Sequence, residues 1–197
     1  MEISTRTAAL TEWTERLAEP APAPGGGAAA AVVAAIGAAV AAMADGYGDD
    51  HPDTRRFVAA RERAWEVADG DARASADLAV VFHAAPEDRD ADRTRRILEH
   101  AAVSSAAVAD VVVELASALE PLAKRCPEPV RADVAVAARL LAAGARAGAV
   151  NVRVNTTACA DAGSSAEFVE DLRAKEQDAI AAADALDRLA AVVTETL

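Results

Sequence analysis

The chain has 197 residues, the size of one ordinary domain, and carries a net charge of −12. That charge argues against nucleic acid, whose phosphates need clustered Lys and Arg, and against a basic membrane-surface role. Hydrophobic residues make up 53% of the sequence but aromatics only 3%, so the apolar content is mostly Ala, Val and Leu. Ala is the strongest helix former and the smallest core residue, so helices built from it approach closely while each buries little area. These properties predict an all-α, single-domain bundle of long Ala-rich helices over residues 1–197, with further apolar surface buried in a symmetric homodimer.

Glu2, Glu12 and Glu15 stand where a signal peptide would carry a basic segment, and no leader is expected. Cys126 and Cys159 form no CxxC pair, as expected of two core thiols in a reduced, cytoplasmic setting. In chain order, Ser4 or Thr5 is expected to cap a first helix whose Leu10, Trp13 and Leu17 share a face and which ends before Pro20. Pro20 to Pro24 reads as a stiff extended connector. The uncharged stretch from Gly25 to Ala44 is long enough to span a bilayer. It is mostly Ala and Gly, however, and lacks flanking anchors, which predicts a buried central helix that Gly46-Tyr47-Gly48 breaks.

Asp53 or Thr54 is expected to cap a long amphipathic helix through Phe57, Trp65, Val67, Leu78 and Val81, ended by Pro86. The next run carries Ile97, Leu98, Val103 and Val108 and reaches the Glu120-Pro121 region. Pro129 suits the first turn of a helix that continues through Leu140, Leu141 and Val150 towards Asn155. Gly163-Ser164-Ser165 precedes a last helix on which Phe168, Leu172, Ile180, Leu186 and Leu189 recur at helical spacing.

Three features bear on chemistry. Pro22-Ala-Pro24-Gly25-Gly26-Gly27 opens an apolar helix; the glycines either admit a ligand to free backbone N–H groups or form a tight turn between touching helices. Asp69-Gly70-Asp71 lies inside a helix, where Gly costs roughly 1 kcal/mol relative to Ala, so it offers either a general base in a cleft or a solvated acidic face. Asn151 and Asn155, four apart, project side by side and either bind a ligand or join helices through a hydrogen-bond network. His51, His83 and His100 show no metal-ligand spacing, and no metal site is expected.

Taken in order, these pieces resemble the cyclodeaminase/cyclohydrolase family, which holds the cyclodeaminase half of formiminotransferase-cyclodeaminase and stand-alone methenyltetrahydrofolate cyclohydrolases. The resemblance runs from Glu19-Pro20 through the three glycines to Met43, then Asp69 to Ala74, and then Asp133 through Gly148-Ala-Val-Asn151-Val-Arg-Val-Asn155. It implies a cyclodeaminase-like, commonly dimeric all-α fold. The implied activity is C–N bond chemistry on a tetrahydrofolate one-carbon adduct, without metal or redox cofactor. It further implies Asp71 as the proton acceptor, with Pro24, Gly25, Gly26, Gly27, Asp133, Asn151 and Asn155 lining the ligand site.

The chain departs from the family pattern at several positions. Gly48 is followed by Asp49 and Asp50 where the family has two basic residues. Ala85-Pro86-Glu87 replaces Leu-Pro-Lys, and Ala28, Ser75 and Ala132 replace a serine, an aromatic and a serine. Arg93, Arg95 and Arg96 remain where the family has a basic cluster. The aspartates would repel the glutamyl carboxylates of a folate. The same catalytic chemistry on a non-folate small molecule is therefore a second reading, and a non-catalytic binding protein on the same scaffold a third.

Overall fold

The computed structural model describes residues 4–85 and 89–197. Among these residues, six α-helices follow one another: α1 (Leu10–Leu17), α2 (Gly26–Gly46), α3 (Thr54–His83), α4 (Ala91–Arg125), α5 (Arg131–Asp161) and α6 (Ala166–Glu195). A 3-10 turn, Glu128–Val130, leads into α5 and holds Pro129. No strand occurs among the described residues, and the stretch from Val150 to Val154 is helical.

The helices α3, α2, α5 and α6 pack in that order as neighbours, and α4 crosses behind them, touching all four. The core follows from this arrangement. Ala34, Ala35, Ala38 and Ala41 of α2 meet Val111, Val112, Leu115 and Leu119 of α4 and Val134, Ala138 and Leu141 of α5. Small residues at these contacts bring backbones together: a Cβ on Gly37 would lie 3.1 Å from the Leu141 backbone nitrogen. α2 and α4 are each long and apolar enough to cross a bilayer, but the inward faces of both are consumed by this core.

Several local expectations are corrected. α1 starts at Leu10 with no side-chain cap. Thr5 is buried instead, its N–H donating to Asp69 Oδ1 at 2.7 Å and its hydroxyl accepting from Trp13 Nε1 at 3.2 Å. Leu10 is 66% exposed, because Trp13 alone of α1 is buried, in a cluster with Ala28, Val32 and Ala68 that Trp65 borders. Val103 also faces outward. α4 does not stop at Pro121 but runs a further turn to Arg125. A proline leaves the carbonyl four residues back without its donor, and Arg56 reaches this stretch, bonding the Glu114 carbonyl and Ser117 Oγ. Pro86 and Glu87 lie outside the described residues.

Neither Asp53 nor Thr54 caps α3 through its side chain. Both join a buried knot around Asp45 at the end of α2. Asp45 accepts from the Asp53 N–H at 3.1 Å, from Thr54 Oγ1 at 2.7 Å and from the Arg125 guanidinium, which also pairs with Asp53 at 2.8 Å. The knot ties the end of α2 to the start of α3 and the end of α4. Breaking a buried pair by removing one partner strands the other charge. Arg125→Met is therefore expected to cost about 2–3 kcal/mol, read as a lower urea midpoint with an unchanged slope.

Candidate active site

Asp71 sits midway along α3, only 5% exposed, with its carboxylate against the first turn of α2. A Cβ added to Gly27 would lie 2.5 Å from Asp71 Oδ2, closer than any side chain can stand. The glycine thus exists at that position to admit the carboxylate. Burial pushes the Asp71 carboxyl above the usual range, and the backbone N–H of Ala28, pointing out of the start of α2, pulls it partly back. Oδ2 is buried without a hydrogen-bond partner, and no cation pairs with Asp71 among the described residues. A buried carboxylate in this condition is unusual enough to make Asp71 a candidate site residue.

Beside it opens a cleft of about 160 Å³, lined by Gly26, Gly27, Asp71, Ser75, Leu78 and Ser105 together with Asn151 and Asn155 of α5. Asn155 Nδ2 donates to Ser105 Oγ at 2.9 Å across the α4–α5 contact, which leaves the amide oxygen unengaged. Asn151 Nδ2 turns back to its own helix at the Ala147 carbonyl, 3.4 Å away. One amide of the asparagine pair thus bridges helices, while both side chains line the cleft. Gly25 caps α2 in an extended conformation and follows the buried Pro24, whose peptide bond to Ala23 is cis.

The fold thus gathers Gly26, Gly27, Asp71, Asn151 and Asn155 from three helices, with Gly25 and Pro24 behind them. Asp133 is not brought to this cleft. It lies 18 residues before Asn151 on the same helix, and at 1.5 Å rise per residue the two are about 27 Å apart. Asp69, two residues before Asp71, faces the other way and holds Thr5. Ser75 and Leu78 were legible as the residues four and seven positions after Asp71, on the same helical face. Ser105 carries no such signal, because nothing in the sequence tells which turn of α4 crosses the cleft. A larger cavity of about 690 Å³ lies at the far end of the bundle, between Lys124, Arg131, Arg188 and Leu189. None of the residues singled out from the sequence as site residues lines it.

The arrangement can hold a planar N–C–N group: amides and hydroxyls supply hydrogen bonds at its edge, and Asp71 meets an N–H or a cation at its centre. Among the described residues, no group of three or more His, Cys, Asp or Glu could hold a metal ion.

Known proteins share this fold. A structural match covers 97% of this chain and 98% of the crystal structure of formiminotetrahydrofolate cyclodeaminase from Thermotoga maritima, with a TM-score of 0.82 and 26% sequence identity. A search of curated protein sequences finds no match. The model of the formiminotransferase-cyclodeaminase family matches residues 9–177. With most of its length so matched, the chain belongs to the formiminotransferase-cyclodeaminase family.

Proposed function

We propose that the protein is an enzyme acting on a C–N bond at the one-carbon unit of a tetrahydrofolate adduct, with Asp71 as the general base. The carrying observation is the buried, cation-free Asp71 carboxylate at the start of α2, inside an amide-lined cleft. Family membership and the likeness to a formiminotetrahydrofolate cyclodeaminase support the substrate class. In the cyclising direction, the second folate nitrogen attacks the formimino carbon, Asp71 takes the proton that nitrogen loses, and the proton passes to the departing ammonia. In the hydrolytic direction, water adds to the methenyl carbon and Asp71 takes the proton from water. That proton passes to the nitrogen whose bond to the one-carbon unit breaks, leaving a formyl group on the other nitrogen. Asn151 and Asn155 orient the N–C–N plane in either case, and a raised proton affinity suits a carboxyl that must both take and return a proton. Neither direction needs a metal or redox cofactor, and a cytoplasmic setting completes the proposal.

A second reading keeps this chemistry but changes the substrate to a smaller amidine or imine. It is favoured by a cleft with no cation and no aromatic ring in its lining. The test is to mix the protein with 5,10-methenyltetrahydrofolate, and separately with 5-formiminotetrahydrofolate, and follow the methenyl absorbance. Fast loss in the first mixture or growth in the second, absent with Asp71→Asn, supports the folate reading. Two inert substrates would sink it.

A further inference from the structure

The cavity of about 690 Å³ at the far end of the bundle is walled by three helices. α4 contributes Glu120, Ala123 and Lys124 from its last two turns, and α5 contributes Arg131, its first residue. α6 contributes a stripe within residues 185–196 that recurs at i, i+3, i+4, i+7 and i+8 spacing, one face of its last turns. The volume falls within the range of small-molecule sites, about 300–1,000 Å³. No residue lines both this cavity and the Asp71 cleft. Arg131 precedes Asn151 by 20 residues of α5, which sets the two about 30 Å apart.

The floor of the cavity is apolar. Val193 belongs to the main core, and Leu189 and Ala123 pack against that core. Val192, on the same stripe of α6, is 59% exposed. The rim is cationic: Lys124, Arg131 and Arg188 come from three different helices and meet at one opening. Lys124 donates to Glu120 Oε1 at 2.7 Å, so those two charges offset each other. Neither Arg131 nor Arg188 pairs with a carboxylate among the described residues. Asp184 and Asp187, the acids closest to Arg188 in sequence, are held by Arg139 and Arg146 instead. Three cations against one carboxylate leave the lining with a charge of +2, in a chain whose net charge is −12. Two unpaired guanidiniums beside one apolar floor repel each other, and an anion set between them relieves that repulsion.

We propose that this cavity is a ligand site in its own right, for a small amphipathic carboxylate. The carboxylate lies between Arg131 and Arg188, whose planar forks match its two oxygens. The apolar body lies along Leu189, Val192 and Val193 and takes them out of water. Both parts are required, because a neutral apolar body leaves the guanidiniums unpaired and a bare anion leaves the valine in water. A hollow closed on three sides by helices suits a small molecule better than the flat face of a partner protein. The site owes nothing to the Asp71 cleft, so it stands whether or not the chain acts on folates.

Isothermal titration of the intact protein with decanoate is expected to show one site per chain, with a Kd below about 1 mM. The melting temperature should rise with decanoate concentration, since the ligand joins the ends of α4, α5 and α6 only in the folded chain. Acetate, which has the head without the body, is expected to give no binding heat over the same range. Arg131→Gln/Arg188→Gln should weaken decanoate by about 10-fold or more. Val192→Asp sets a competing carboxylate among the guanidiniums and should weaken it as well. None of these three side chains is buried, so both variants should keep the unliganded melting temperature. Absence of saturable decanoate binding would overturn the proposal. So would acetate binding as tight as that of decanoate, or decanoate binding that the double variant retains at full strength.

Discussion

Replacing Asp71 with Asn is expected to lower turnover by about 10²- to 10⁴-fold while raising the melting temperature at neutral pH. The two effects have one cause. Burial without a cation holds the Asp71 carboxyl above its ordinary value of 3.8, so the folded chain keeps this proton at pH values where the unfolded chain has released it. Stability from this group is fully present below 3.8 and falls as pH rises through the raised folded value. Asn carries no charge to desolvate, still offers an oxygen to the α2 start, and removes that loss. Thermal unfolding of both proteins at several pH values checks the sign. The curves should converge as Asp71 becomes protonated in both states and separate above that range, with the Asp71→Asn protein the more stable. Equal or lower stability of the Asp71→Asn protein at neutral pH would mean that the carboxylate caps α2 rather than waits for a ligand.

Gly27→Ala is expected to abolish measurable turnover and to cost about 1–3 kcal/mol. The added methyl would overlap the Asp71 carboxylate, which must rotate off its site or push the first turn of α2 outward. The comparison with Gly26→Ala makes the test specific. Nothing lies within 4 Å of a Cβ there, so that protein should keep its melting temperature within a degree or two. Urea unfolding and the methenyl assay read the pair. If both alanines are equally harmless, Asp71 does not sit where the cleft requires it.

Much of the fold was legible because Pro and Gly punctuate long apolar periodicities. The breaks after α2, before α5 and before α6 fall where glycine or proline stands. What stayed hidden depended on long-range partners. Thr5 and Asp53 look like caps in isolation, yet Asp69, Trp13 and Arg125 claim them across the fold. Pro121 reads as a stop, but packing of Leu119 and Leu122 carries α4 past it. In the cleft, Asp71 and the asparagines could be grouped by motif, whereas Asp133 was grouped with them although one chain separates them by five turns. A linear motif does not say that its residues meet in one cleft.

The pairing of Trp13 with Trp65 around Ala28 and Ala68 has an optical consequence. The chain holds only these two tryptophans; Trp13 is buried beside Ala28 in the early turns of α2, and Trp65 borders both that cluster and the main core. α5 and α6 contribute no indole at all. Tryptophan emission therefore reports mainly on the start of α2 and the core beside Trp65. Ligand entry or loosening of the α2 start should shift it, while fraying of α6 should pass unseen, so fluorescence and circular dichroism will separate local opening from global unfolding.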